Sequence, residues 1–115
     1  MMSVSAVFKV EVYVPTDALD ELLDALTAAG AGVIGKYDHC FAISPVTSSF
    51  RPLEGADPYL GRVGELVTTG ESKVEVNVHE EILLQVIEAV RNVHPYEEPL
   101  INIVPLANGR YGGTM

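Results

Sequence analysis

Alternating hydrophobic and polar positions open the chain and predict a β-strand with one buried face. From Val4 to Val14 the even positions carry valine, alanine or phenylalanine, whereas the odd positions include Lys9 and Glu11. Successive side chains of a strand point to opposite faces, so this period of two is typical of a sheet that is buried on one side. Pro15 ends the alternation.

Two other segments repeat their apolar residues with the period of a helix. Leucines at positions 19, 22, 23 and 26 form one stripe, which predicts a helix over residues 17–29. Thr16 and Asp17 are suited to cap its start, and Gly30 is suited to a left-handed residue at its end. A second stripe of isoleucine, leucine and valine predicts a helix over residues 80–92.

The remaining segments predict further strands and one long loop. Short β-like runs occupy residues 37–43, 73–79 and 100–104, and residues 63–68 are a candidate extra strand followed by a turn at residues 69–71. Residues 44–62 carry three prolines and two glycines, which predicts a loop. The glycine-rich tail, residues 107–115, is expected to be flexible.

The order of these elements predicts an α+β fold in a single domain, residues 1–106. Two strand–helix–strand halves are typical of a ferredoxin-like (βαββαβ) sandwich, in which four antiparallel strands carry both helices on one face. An extra strand at residues 63–68 would add an extended hairpin beside this sheet. The opposite face is either solvated or covered, and we expect another copy of the chain to cover it.

Composition and charge exclude several classes of partner. The 115 residues include 7 Lys and Arg against 16 Asp and Glu, which gives a formal net charge of −9. Phosphate backbones and anionic lipid surfaces repel such a chain, so we expect neither nucleic-acid nor membrane binding. Cys40 is the single cysteine, which excludes an intrachain disulfide and favours a reducing, cytoplasmic location.

The segment His-Pro-Tyr-Glu-Glu-Pro at residues 94–99 is the strongest candidate for chemistry. Its two prolines stiffen the backbone, and His94 with Glu97 or Glu98 could bind a divalent metal ion or act as an acid–base pair. The alternative is a turn with solvated carboxylates. His39 and Cys40 are also metal-ligand types, but adjacent residues of a strand point apart, which favours a packing role for Cys40.

The long loop at residues 44–62 holds apolar side chains that need burial, so it is predicted to be an ordered functional loop. It is either an arm that packs on a neighbouring copy, which we favour somewhat, or a lid over a ligand. Arg51 within it could pair with an anionic group. The candidate ligand-binding residues are Arg51, Tyr59 and Tyr96.

Three segments carry a family resemblance. Residues 32–41, 50–61 and 94–99 resemble the YqfO family, in the stand-alone form of the domain that is inserted into YqfO-type, Nif-three-like dinuclear-metal-centre proteins. The resemblance covers about residues 4–106. The last segment and the strand after it are also similar to the CutA proteins, which share the fold of the PII signalling proteins.

The resemblance implies a PII/CutA-like fold and a homotrimer that assembles through sheet edges and the long loop. The paired metal ions and the GTP cyclohydrolase label of the larger proteins belong to flanking halves outside this sequence, so we do not expect that activity here. The residues of the matching segments that the resemblance marks as candidate metal or ligand contacts are His39, Cys40, His94, Glu97 and Glu98.

These observations favour a non-catalytic, oligomeric binding or regulatory module of the PII/CutA type. Its candidate ligand is a divalent metal ion or a small metabolite, and a divalent metal ion is the candidate cofactor. One alternative is a small metal-dependent hydrolase that uses His94 with Glu97 or Glu98. The other is a purely structural assembly domain. The sequence contains no nucleophile–base motif, so an enzyme is the less favoured hypothesis.

Overall fold

The computed structural model describes residues 6–114, which form one antiparallel sheet with helices packed on it. The elements in chain order are β1 (Val7–Pro15), α1 (Leu19–Ala28), β2 (Ala42–Phe50), β3 (Val67–His79), α2 (Glu80–Val93), β4 (Ile101–Leu106) and α3 (Asn108–Tyr111). Residues 4 and 5 of the predicted first strand lie outside the described range, as does residue 115 of the tail. Residues 108–111 of that tail form a single short helix, α3.

The sheet has the strand order β2-β3-β1-β4, and every neighbouring pair is antiparallel. This order confirms the ferredoxin-like prediction. At the centre of the sheet β1 pairs with β3, and the register places Val10 opposite Val76 and Val12 opposite Val74. These four valines are at most 2% exposed. β-branched side chains suit such a pleated, buried surface, so the alternation of β1 and β3 is sufficient to define the core face.

The helices cover the core face, and their apolar stripes are those that the sequence predicts. Leu22 and Leu26 of α1 and Val86 and Val90 of α2 have no exposed surface. Gly30 follows α1 with a φ of +93°, in the left-handed conformation expected of a glycine at that position. Within the described chain, however, no side chain caps α1, because its N-cap residue is Ala18, which has no polar side-chain atom. The predicted capping residue Thr16 lies outside α1, and its Oγ1 bonds to Ser72 Oγ at 3.1 Å.

The predicted loop at residues 44–62 is wrong in its first half. Residues 44–50 continue β2, which pairs with β3 up to Phe50 opposite Val67. Pro45 is tolerated because β2 is an edge strand with a neighbour on one side only. A proline, which lacks the N–H, is therefore less costly here than in a central strand. The predicted run at residues 37–43 contributes only its last two residues to β2.

The predicted turn at residues 69–71 and the separate strand at residues 63–68 are also wrong. β3 runs without interruption for 13 residues through Gly70, which lies opposite Thr47 of β2. A partner strand that supplies hydrogen bonds along its whole length outweighs the weak local preference of one glycine for a turn. The extended hairpin therefore exists, but it consists of β2 and β3 themselves.

The hairpin ends in an arm, which we define as residues 51–66, the segment that joins β2 to β3. The molecule measures 56 × 24 × 22 Å, and its radius of gyration of 15.9 Å exceeds the ~13 Å typical of a compact domain of about 100 residues. Along the arm, several large apolar side chains are exposed: Leu53, Tyr59, Leu60, Val63 and Leu66.

The open face of the sheet lies opposite the helices and carries a network of charged side chains. Lys9 Nζ lies 3.1 Å from Glu75 and 3.6 Å from Glu11, and Lys73 Nζ lies 3.7 Å from Glu11. Asn102 also donates a hydrogen bond to Glu11. This bond and the nearby lysine charges outweigh burial and lower the pKa of Glu11. The two lysines balance the two glutamates, so the network is neutral within a strongly acidic chain.

None of the helices between residues 6 and 114 is long and apolar enough to cross a lipid bilayer.

Candidate functional site

A cleft of about 340 Å³ lies at one end of the open face, between the arm and the connector, which we define as residues 94–100, the segment that joins α2 to β4. The strands contribute one wall and the floor, and the arm and the connector contribute the rest. Its volume is at the lower end of the range for small-molecule sites. The lining residues are Tyr13, Ser48, Ser49, Phe50, Arg51, Pro52, Leu53, Ala56, Pro58, Tyr59, Leu60, Glu71, Tyr96, Glu97, Glu98 and Leu100.

Two hydrogen bonds to the backbone of Tyr13 hold the connector in place. His94 Nε2 lies 2.7 Å from the Tyr13 carbonyl oxygen, and the Tyr13 N–H donates to the carbonyl oxygen of Leu100 at 3.3 Å. Both ends of the connector are therefore attached to the middle of the sheet. The His-Pro-Tyr-Glu-Glu-Pro segment lies here because α2 ends at Val93, ahead of Pro95.

Both ring nitrogens of His94 are engaged. A carbonyl oxygen can only accept, so Nε2 carries the proton that bonds to Tyr13, and Nδ1 accepts the N–H of Tyr96 at 3.1 Å. Burial is the main cause that lowers the pKa of His94, outweighing the Tyr13 bond and the charge of Glu71. The imidazole is therefore neutral at pH 7 and has no free lone pair for a metal ion.

The buried carboxylate of Glu71 lies at the floor of the cleft. Glu71 is only 4% exposed, and its Oε2 accepts the hydroxyl of Tyr96 at 2.7 Å. Burial, followed by this hydrogen bond, raises the pKa of Tyr96 well above its usual value. Tyr96 therefore stays protonated at neutral pH and acts as a hydrogen-bond donor to Glu71.

Three aromatic rings lie close to Tyr96. Its ring centroid lies 5.9 Å from Phe50, 5.9 Å from Tyr59 and 5.2 Å from His94, all in tilted arrangements. On the connector, Glu97 Oε1 accepts the backbone N–H of Asp57 at 3.2 Å, which links the connector to the arm. The cleft therefore combines aromatic and aliphatic walls with carboxylates.

The structure brings the predicted ligand-binding residues together but not the predicted metal ligands. Arg51, Tyr59 and Tyr96 all line the cleft, and so do Glu97 and Glu98. His94 lies against Tyr96 rather than in the cleft lining, whereas His39 lies 3.0 Å from Asp38, and Cys40 contacts the Asp38 carbonyl oxygen. Across residues 6–114, no three His, Cys, Asp or Glu side chains are placed to hold a metal ion. The metal set stays a prediction.

Glu71 is the central residue of the cleft that the sequence reasoning did not identify. The predicted turn at residues 69–71 placed it outside the sheet. A signal was available, because the alternation of Lys73, Glu75 and Asn77 on the open face, extended backwards by one step, reaches Glu71. Its burial was not predictable, because the arm and the connector that cover it are distant in sequence.

Known proteins resemble the chain over nearly its whole length. No protein-family model matches it. A GTP cyclohydrolase 1 type 2 homolog from Halalkalibacterium halodurans is 41% identical over 103 residues, which are 90% of this chain and 28% of that protein. The homolog of the same name from Bacillus subtilis is 42% identical over 98 residues, 85% of this chain and 26% of that protein. The chain thus spans about a quarter of the length of these relatives.

Solved structures agree with these relatives. A Bacillus cereus protein related to NIF3 superposes on 93% of the chain and 27% of its own length, with a TM-score of 0.81 and 36% identity. Two further structures share the fold. The divalent cation tolerance protein CutA from Archaeoglobus fulgidus superposes on 87% of this chain and 83% of its own, with a TM-score of 0.62 and 18% identity. GlnK from B. subtilis superposes on 90% of this chain and 87% of its own, with a TM-score of 0.63 and 20% identity. These matches confirm the resemblance to the YqfO family and the predicted PII/CutA-like fold.

Replacing Tyr96 by phenylalanine tests the floor of the cleft. The change removes the only side-chain donor to Glu71 within residues 6–114 and leaves a buried carboxylate unpaired. We expect the free energy of unfolding, measured by urea denaturation, to fall by about 1–3 kcal/mol. The matched control is Tyr59→Phe, which alters an exposed tyrosine of the same cleft and is expected to cost under ~0.5 kcal/mol. Equal losses in both variants would contradict the role assigned to Tyr96.

Replacing His94 by glutamine tests the neutral imidazole. The folded pKa of His94 lies below its ordinary value, so the unfolded chain binds the extra proton more readily. His94 therefore contributes stability that is complete above about pH 6.5 and is lost as the pH falls through the lowered folded pKa. Glutamine keeps a donor for Tyr13 but does not titrate. We expect the stability difference between wild type and His94→Gln to shrink between pH 7.5 and pH 5, as measured by urea denaturation. A difference that is independent of pH would contradict this account.

Proposed function

We propose that this chain, a relative of one domain-sized segment of the YqfO/NIF3 proteins, is a non-catalytic binding module of the PII/CutA type that works as an oligomer. The cleft is the observation that carries the proposal, because the three predicted ligand-binding residues, Arg51, Tyr59 and Tyr96, line it together. The relatives named GTP cyclohydrolase homologs are about four times as long, and that activity is not part of the proposal.

The state of the titratable groups favours binding over catalysis. The Tyr96 hydroxyl donates a hydrogen bond to Glu71, and its pKa is raised, so it is a poor nucleophile at neutral pH. A hydrolase that used His94 with Glu97 or Glu98 would need a free imidazole nitrogen, but both are occupied. The hydrolase hypothesis therefore has less support than the binding module.

A small organic molecule fits the cleft better than a metal ion does. The walls are mostly aromatic and aliphatic, whereas a divalent ion needs several converging oxygen, nitrogen or sulfur ligands. The candidate metal ligands His39 and Cys40 contact Asp38 and not the cleft. Metal sensing through these residues with His94, Glu97 and Glu98 remains a separate, less supported proposal.

A fragment screen monitored by amide NMR tests the cleft as a binding site. We expect charged and neutral fragments of about ten heavy atoms to shift the amide resonances of the arm and the connector, with dissociation constants near the millimolar range. Ala56→Trp should abolish these shifts by filling the cleft. Ala28→Trp, the same change on the exposed surface of α1, is the control and should preserve them. Shifts that are absent in wild type, or that survive in Ala56→Trp, would refute the proposal.

Self-association is supported by two surfaces. The charge network on the open face is neutral, so two copies can approach there with little of the repulsion that a net charge of −9 imposes elsewhere. The arm exposes Leu53 and Leu66 by 70% and 64%, together with further apolar side chains. Such a patch is typical of an interface. We propose that copies meet through the open face and the arm, with the trimer as the expected stoichiometry.

Reversing one charge on the open face tests this assembly. Glu11→Lys places a third positive charge beside Lys9 and Lys73, so the face becomes repulsive towards a copy of itself. We expect native mass spectrometry to show a trimer for wild type and predominantly a monomer for Glu11→Lys. Glu21→Lys makes the same change on the exposed side of α1 and should remain trimeric. A monomeric wild type, or equal behaviour of the two variants, would contradict the proposed interface.

A further inference from the structure

The buried floor of the cleft has one unused acceptor. Glu71 Oε2 accepts the Tyr96 hydroxyl, but Oε1 has no partner among residues 6–114. No buried side-chain oxygen or nitrogen in that range lacks a partner, so Oε1 is in contact with solvent. Glu71 lines the cleft, and its side chain is otherwise covered. Oε1 is therefore an acceptor that a ligand in the cleft can reach.

The charges around the cleft are unequal. Its lining holds three carboxylates, those of Glu71, Glu97 and Glu98, and one guanidinium, that of Arg51. Arg51, Glu97 and Glu98 are all exposed, so water and salt screen their charges. Glu71 is buried, where a charge interacts more strongly with whatever lies beside it. The deepest part of the cleft therefore favours a positive group and disfavours a phosphate or carboxylate.

The walls favour a ligand that also has an apolar part. The ring centroids of Phe50 and Tyr59 each lie 5.9 Å from the ring centroid of Tyr96. Tyrosine and phenylalanine faces attract organic cations and also pack against aliphatic and aromatic groups. A hydrated metal ion would leave these walls unused.

We propose that the ligand of the cleft is a small organic cation, with an ammonium or guanidinium group bound to Glu71 and an apolar body packed against Tyr96 and Tyr59. This inference rests on the proposed binding function and specifies its ligand class. A protonated amine supplies the donor that Glu71 Oε1 lacks. Its charge is opposite to that of the buried Glu71, and its hydrocarbon part fills the remaining volume.

Three probes that share one skeleton test the charge preference. The probes are 2-phenylethylamine, the neutral 2-phenylethanol and the anionic 3-phenylpropanoate, titrated at pH 7 into the full chain with amide NMR as the readout. We expect the amine to bind roughly five- to tenfold more tightly than the alcohol, the difference between a charge-assisted and a neutral hydrogen bond. The anion should bind more weakly than both.

Two variants assign the preference to one residue. Glu71→Gln keeps an acceptor for the Tyr96 hydroxyl and removes the charge, so the amine and the alcohol should bind equally. Glu88→Gln makes the same change on the exposed surface of α2, away from the cleft, and should leave the preference intact. If Glu71→Gln does not fold, the ranking of the three probes in wild type decides the question alone.

The outcomes separate the ligand class from the binding function. Binding of the alcohol or the anion at the cleft, equal to or tighter than the amine, overturns the cation inference and leaves the cleft as a binding site. Failure of all three probes to shift the cleft amides also overturns it. In that case the fragment screen described above decides independently whether the cleft binds small molecules at all. A preference that persists in Glu71→Gln would show that another group recognises the charge.

Discussion

The position of the cleft depends on the backbone of one residue, Tyr13. Its carbonyl oxygen accepts the His94 ring, and its N–H donates to Leu100, so both ends of the connector are attached to β1. β1 pairs along its full length with residues 71–79 of β3. The Tyr96 hydroxyl, between these attachment points, is therefore held against Glu71 of β3. Loss of either bond to Tyr13 would weaken the attachment of the connector and with it the cover of a buried carboxylate, which is costly without a partner.

The same residue joins the cleft to the rest of the open face. The Tyr13 side chain lines the cleft, and Lys73 Nζ lies 5.7 Å from the centre of its ring. Lys73 in turn belongs to the neutral charge network with Glu11. Under the proposals above, a ligand in the cleft would lie next to the surface through which copies of the chain meet. Occupancy of the cleft and assembly would then share the same side chains, an arrangement that suits a regulatory module.

Local patterns predict those parts of the fold in which neighbouring residues suffice. The alternation of β1 and of residues 73–79, and the stripes of α1 and α2, identify the core residues. The order of these elements along the chain predicts the ferredoxin-like fold. The local patterns predict the wrong structure where pairing with another strand decides whether a residue lies in a strand or in a turn. Pro45 indicates a loop and Gly70 indicates a turn, yet both lie in strands. The proline is tolerated because β2 is an edge strand. The glycine is tolerated because pairing with β2 outweighs its local preference for a turn.

The features of the candidate site also divide into those that the sequence predicts and those that depend on the tertiary structure. By itself, the sequence determined the fold class, the helix stripes and the chemically distinctive residues, among them Arg51, Tyr59 and Tyr96, because composition and short-range periodicity encode these directly. Only the tertiary structure decided that these residues share one cleft, that His94 supports the connector with both of its nitrogens engaged, and that Glu71 forms the floor. The bond from Tyr96 to Nδ1 of His94 is local, but the bonds of Tyr96 to Glu71 and of His94 to Tyr13 join residues 25 and 81 positions apart. Burial and hydrogen-bond partners across such separations are properties of the folded chain and leave no local signal in the sequence.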